Sequence, residues 1–258
     1  VALFLFAVKL VELNKIRIGA VSYLNTKPLL YGIKRSEIIN NIDLIEAYPS
    51  KIAQMFLDNT IDIGLVPVAA LNNLDNYFLI SDYCIGAVND VASVSLFSHL
   101  PIDKIETVFL DYQSRTSVAL TKILFKNYWN KEVKFIEASE NFINEINGTT
   151  AGVIIGDRAL EHRNNFENNY DLATNWRNYT GLPFVFATWV ANKPIDKGFI
   201  KDFNAANKLG LDNIDQVIKE IEFPLYDIKK YYTENISYNF DVEKRQALEL
   251  FLKYMKEI

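Results

Sequence analysis

Cysteine and histidine are nearly missing: the 258 residues hold one of the first, Cys84, and two of the second, His99 and His162. A lone thiol excludes an internal disulfide, a thiolate metal cluster and a Cys-x-x-Cys redox pair. Two histidines leave no His-rich metal site, so no metal is expected. Tyr83 and Ile85 flank Cys84 with apolar surface and make it a buried structural thiol rather than a nucleophile. No run of Lys and Arg exceeds two residues and the net charge is −5. A nucleic-acid surface, which needs a basic stripe to release counterions, is therefore not expected. Gly-x-Gly-x-x-Gly and Gly-x-x-x-x-Gly-Lys-Ser/Thr loops are both missing, which leaves nucleotide cofactors without support. Apolar runs are short as well. Val1–Val8 is ended by Lys9 and Glu12, too soon to span a bilayer, and it lacks a basic start and a small-residue cleavage site. Residues 1–14 read as a peripheral extension, and a cytoplasmic location is expected.

What is present is the make-up of a folded α/β protein. Half of the residues are hydrophobic and 23% are charged, and the length suffices for two modest lobes, each with a core. The chain is organised around Ser22-Tyr-Leu-Asn-Thr-Lys-Pro-Leu29, which follows the apolar run Ile16–Val21. Ile16, Ile18 and Val21 predict a strand, and Pro28 suits the first turn of a helix, where a missing N–H is harmless. Between them sit Ser22, Asn25, Thr26 and Lys27, at the carboxyl end of a strand, where free N–H groups and the helix dipole favour a ligand. Taken alone, the stretch reads as an ordinary strand-to-helix turn with Asn25 or Thr26 capping the helix; what changes the balance is that later stretches end in the same way.

The pattern recurs. Ile42–Ala47, a helix from Pro49-Ser50 with Ile52, Met55 and Phe56 inward, and Ile61–Val66 complete a βαβ rhythm typical of a parallel sheet. Leu79–Val88 and Ala92–Ser98 are further strands, the second placing Ser93 and Ser95 on one face, either toward solvent or toward a cleft. Val108–Leu110 runs into Asp111-Tyr-Gln-Ser-Arg-Thr-Ser117 and a helix burying Val118, Ala119, Ile123 and Leu124. Here Arg115 brings a planar fork suited to a carboxylate, with the Ser114, Thr116 and Ser117 hydroxyls beside it. An anion site and a capped helix with Arg115 in an ion pair are both open. Val133–Ile136 predicts a strand followed by a polar helix to Asn147-Gly148. Ala151–Ile155 then ends at Gly156-Asp157, where Asp157 is an N-cap or a cleft residue. Residues 164–175 read as a loop, and Trp176–Val190 as an aromatic-rich turn and strand. From Asn192 onward the helices look structural, the last starting at Asp241 as N-cap and burying Leu248, Phe251, Leu252 and Met255.

Four of these stretches in order, Ser22–Leu29, Ser114-Arg-Thr-Ser117, Ile154-Ile-Gly-Asp157 and Thr180-Gly-Leu-Pro-Phe-Val-Phe-Ala187, together with Ile61-Asp-Ile-Gly64, resemble the chorismate dehydratase family of the futalosine route to menaquinone. The resemblance covers roughly residues 15–255. It implies a two-lobed, periplasmic-binding-protein-like fold of type II, each lobe a central mixed sheet flanked by helices with the ligand cleft between. Lobe 1 would be 15–97 plus 191–258 and lobe 2 would be 98–190, with crossings near Ser98 and Val190. It implies a hydro-lyase without cofactor that converts chorismate, a small dicarboxylate, to 3-[(1-carboxyvinyl)oxy]benzoate. Carried over by position, Asn25 and Ser93 are the catalytic polar residues, and Ser114, Arg115, Thr116 and Ser117 form the carboxylate-binding turn. Thr26, Lys27 and Asp157 are further substrate-binding candidates. No His or Cys falls in a site motif, which is consistent with the substrate's own enolpyruvyl carboxylate acting as base. A small-anion solute-binding protein on the same fold and the 1,4-dihydroxy-6-naphthoate-forming enzyme of the same pathway are the competing readings.

Overall fold

The computed structural model describes residues 15–74 and 76–258; the extension expected over 1–14 lies outside the described residues. The chain folds into two mixed sheets with helices packed on them. The first takes β1 (Ile16–Val21), β2 (Ile42–Ala47), β3 (Ile63–Pro67), β4 (Phe78–Ala87), β10 (Phe184–Ala191) and β11 (Ser237–Asn239), ordered β11-β4-β10-β3-β1-β2. The second takes β5 (Val94–Ser98), β6 (Thr107–Leu110), β7 (Lys134–Glu137), β8 (Thr150–Ile155) and β9 (Asn168–Asp171), ordered β7-β6-β8-β5-β9.

The parallel pairings lie where helical crossovers demand them. β1 pairs parallel to β2 in the register Ile16 to Ile42, and to β3 at Ile18 and Ile63. β6 pairs parallel to β7 and β8. The strands that carry the chain between sheets, β5 and β10, pair antiparallel on both sides. The helices α1 (Lys27–Arg35), α2 (Pro49–Leu57), α3 (Arg115–Asn127), α4 (Asp157–His162) and α5 (Leu172–Thr180) each follow a strand. Three more, α6 (Lys197–Asp212), α7 (Ile214–Lys219) and α8 (Val242–Met255), close the chain over the first sheet. α1 and α6 touch backbone to backbone: a Cβ at Gly32 would lie 1.9 Å from the Ala206 carbonyl oxygen, so only glycine permits this approach.

The lobe boundaries differ from those expected. β5 belongs to the second sheet and β10 to the first. The chain therefore crosses between Ala87 and Val94 and again between Thr180 and Phe184, ahead of each strand rather than after it. A strand's own residues specify extension and burial, but not which sheet offers it a free edge. Two other stretches also differ. The polar helix expected before Asn147 is a single 3-10 turn, Phe142–Glu145, and the loop expected over 164–175 contains β9 and the start of α5. Asp171 explains the second, because its side chain accepts from the Thr174 N–H at 2.9 Å and starts α5 as an N-cap.

Most of the buried apolar residues form one cluster running through both lobes, with Trp176, Trp189, Phe184, Phe203 and Phe251 among its largest members. Much of the aromatic density in Trp176–Val190 is therefore core. Cys84 is buried in it, and burial pushes its thiol up to about 12, as fits a structural thiol. No helix among the described residues is long and apolar enough to cross a membrane.

Candidate functional site

Three strand ends meet between the sheets. The turn after β1 brings Tyr23 and Asn25, the turn after β6 brings Ser114 and Ser117, and the end of β8 brings Ile155 and Gly156. Together with Ser93 just before β5, they line a small cavity of about 50 Å³ whose walls are Val21, Pro49, Pro67, Ile85, Val91, Val94, Phe186 and Ala187. A concave, mostly apolar pocket with a few convergent polar groups is the usual form of a small-molecule site.

The expected site residues separate into three groups. Asn25, Ser93, Ser114 and Ser117 line the cavity. Ser114 is the N-cap of α3: its Oγ accepts from the Ser117 N–H at 3.1 Å and lies 2.9 Å from Ser117 Oγ. The first N–H groups of α3 have no intrahelical acceptor and sit beside these hydroxyls, so a carboxylate here gains both hydrogen bonds and the helix dipole. Ser93 Oγ accepts from Tyr231 Oη at 2.8 Å, and the Ser93 carbonyl accepts from Gly156 N at 2.8 Å.

Thr26, Thr116 and Asp157 hold the walls together. Thr26 Oγ1 donates to Asn25 Oδ1 at 3.1 Å, which leaves the Asn25 amide nitrogen without a partner among the described residues. Thr116 Oγ1 accepts from the Ala69 N–H at 3.2 Å and contacts the Phe186 carbonyl at 3.4 Å, pinning α3 of the second lobe to the first. Asp157 is not the N-cap of α4, a position taken by Gly156. Its Oδ1 instead accepts from the Leu24 N–H at 3.1 Å, across the lobes.

Arg115 and Lys27 point elsewhere. Arg115 is exposed and lines a separate groove with Tyr112, Val118, Lys122 and Phe135; the cavity does not include it. The reason is helical geometry. With Ser114 and Ser117 on the inner face of the first turn, residue 115 falls about 100° round the axis. Lys27 Nζ lies 3.9 Å from Glu46 on the outer edge.

Among the described residues, no Asp, Glu, His, Lys or Arg lines the cavity. Tyr23 does; burial raises its phenol well above the ordinary range, and Oη donates to Gln113 Oε1 of the opposite lobe. Gly156 adopts φ +66°, and a Cβ there would approach the Tyr23 ring to 3.0 Å, so glycine lets the ring lie over this wall. Beside the cavity, Ala92 holds a left-handed φ of 63°. Its N–H donates to Asp90 Oδ1 and Asp171 Oδ2, both at 2.9 Å, and its carbonyl accepts from Arg163 at 3.0 Å. This strain, of about 1 kcal/mol for a residue with a Cβ, turns the chain between Val91 and Ser93.

Sequence reasoning missed Tyr23 and Gln113, and it missed the C-terminal tyrosines altogether. Tyr231, Tyr232 and Tyr238 lie more than 40 residues beyond the last of the motifs, which ends at Ala187, so no local pattern links them to the site. Among the described residues no three His, Cys, Asp or Glu side chains converge on a metal position.

Residues 16–257 match a family described as menaquinone biosynthesis. A protein of Thermus thermophilus named chorismate dehydratase is 25% identical over 259 residues, covering 91% of this chain and 93% of that protein. A Campylobacter jejuni protein of the same name is 25% identical over 248 residues, covering 93% and 97%. Among solved structures, a Candida albicans gene product described as having the generic periplasmic binding protein fold superposes with a TM-score of 0.68 at 10% identity. The superposition covers 95% of this chain and 91% of that one, and at that identity the likeness speaks for the fold.

Proposed function

The chain belongs to the menaquinone biosynthesis family, and on that premise we propose that its cavity dehydrates chorismate to 3-[(1-carboxyvinyl)oxy]benzoate. Two relatives carry the name of that activity along nearly their whole length. In the reaction, the ring carbon bearing the enolpyruvyl ether loses its proton and the adjacent carbon loses hydroxide. The freed electron pair makes the third ring double bond, and proton and hydroxide leave as water. Aromatisation supplies the driving force.

The observation that carries this reading is a cavity furnished with hydrogen-bond donors and, among the described residues, no ionised side chain. Such a site can bind, orient and exclude water, but it offers no protein base with a pKa near neutrality. Chorismate brings its own. Its enolpyruvyl carboxylate can reach the ring proton once the substrate is folded and desolvated, and holding it so is a matter of orientation. The start of α3 with Ser114 and Ser117 binds the ring carboxylate. Asn25 and Ser93 face the departing hydroxyl, to which Ser93 Oγ–H and the free Asn25 amide nitrogen can donate. A cytoplasmic place of action belongs to the same proposal.

The test is purified protein with chorismate, following loss of the diene absorbance and identifying the product by mass. A product one water lighter, with an aromatic ring, is the expected outcome. Binding without turnover would overturn it in favour of a solute-binding role, and no binding would confine the likeness to the fold.

A further inference from the structure

The segment that looks least like a site reaches the site most often. After a short helical turn, Tyr231–Asn235 is wound as a π-helix, a form concentrated at functional positions because it costs stability. From it and the following β11, four side chains reach the two stretches carrying Asn25 and Ser93. Tyr231 Oη donates to Ser93 Oγ at 2.8 Å and Tyr232 Oη to the Leu24 carbonyl at 2.9 Å. Asn235 Nδ2 donates to the Asp90 carbonyl at 2.9 Å, and Tyr238 Oη to the Asn25 carbonyl at 2.9 Å.

The first of these bonds differs from the rest. The other three end on backbone carbonyls, whereas Tyr231 ends on a side chain that lines the cavity. Tyr231 is fully buried, and burial keeps its phenol protonated. Its hydroxyl has no other hydrogen-bond partner among the described residues, so Ser93 Oγ receives its proton. A serine hydroxyl has one proton and two lone pairs. With one lone pair engaged from the protein side, the Ser93 proton remains for the cavity, and accepting a bond makes the hydroxyl a better donor.

We propose that Tyr231 is a positioning residue for the dehydration, orienting Ser93 Oγ so that its O–H donates a hydrogen bond to the departing hydroxyl. The proposal rests on the reaction assigned above. It explains why a tyrosine, which the core could replace by phenylalanine, stands at a fully buried position.

The experiment compares the protein with its Tyr231→Phe variant, which removes the hydroxyl and keeps the ring. One hydrogen bond of ordinary strength predicts a kcat about fivefold to tenfold lower, with KM changed less than about threefold. An unchanged kcat, or a loss expressed wholly in KM, overturns the proposal. Should the phenylalanine variant fail to fold, 3-fluorotyrosine at position 231 keeps the ring and strengthens the donor. It should raise kcat at fixed KM, and an unchanged kcat overturns the proposal. The wild type is assayed first. If it removes no water from chorismate, the reaction and the positioning role fall together; if it does and the variants behave like it, only the positioning role falls.

Discussion

Asp157, at the start of α4, accepts a hydrogen bond from the backbone N–H of Leu24 at 3.1 Å, so a carboxylate of one lobe holds the turn after β1 of the other. Tyr23 and Gln113 make a second tie close by, and Thr116 a third to the Ala69 N–H. Each joins groups that are far apart in the chain. Together they fix the relative placement of Asn25, Ser93 and the start of α3.

Burial raises the Asp157 carboxyl above the ordinary range, opposed by the bond from Leu24. A carboxyl whose folded pKa lies above its unfolded value, about 3.9, contributes stability that is complete below that value and is lost as pH rises through the folded one. Asp157→Asn does not titrate and can still accept from Leu24. Its melting temperature relative to wild type is therefore expected to climb as pH rises above about 4 and then level off. A difference independent of pH would contradict this.

Asp62 is expected to behave in the opposite way. Arg17 bonds it through Nε at 3.1 Å, Nη2 at 3.0 Å and its backbone N–H at 3.0 Å, and Lys193 Nζ lies 2.8 Å away. The Arg17 hydrogen bonds first, with Lys193 behind them, hold the carboxyl well below the usual range. The stability this contributes is present above the unfolded pKa and is lost as pH falls toward the folded one. Asp62→Asn should destabilise by about 2 kcal/mol at neutral pH. Denaturant titrations should show the gap to wild type narrowing below about pH 4.

Replacing Thr116 by Val keeps the shape and removes the hydroxyl. The Ala69 N–H, buried and bonded to Thr116 Oγ1 at 3.2 Å, then has no acceptor. A loss of about 2 kcal/mol is expected from the orphaned donor, read as a lower denaturant midpoint with an unchanged slope. Thr116→Ser, which restores the acceptor, should recover most of it.

Arg115→Ala separates the sequence-based carboxylate site from the structural one. The side chain is exposed and outside the cavity, so kcat/KM should stay within about threefold of wild type, the range of a surface substitution. Ser114→Ala and Ser117→Ala, which remove hydroxyls from the cavity wall, should each raise KM for chorismate by about fivefold or more. Steady-state kinetics on the three variants decide between the two placements.

The outcome for Arg115 shows how far the residues alone could be read. Strand β1, strand β2, the helix from Pro49 and the Asp241 cap of α8 follow from apolar spacing and capping chemistry, and they stand where those signals put them. The polar turns after β1, β6 and β8 were recognisable for the same reason. Each ends a strand in polar groups just before a helix, hydroxyls and amides in the first two and Asp157 in the third, and the three do meet at one cavity.

Local pattern determined which segments are strands and helices, and which turns carry polar groups, because those preferences are set by neighbours within one or two helical turns. Only the tertiary structure decided which sheet receives β5 and β10, since that depends on the edge left free by strands elsewhere. It also decided that Arg115 faces outward, through the rotation of α3 about its axis. And it brought Tyr231 against Ser93 across 138 residues, a bond that exists because the closing chain packs over both lobes at once.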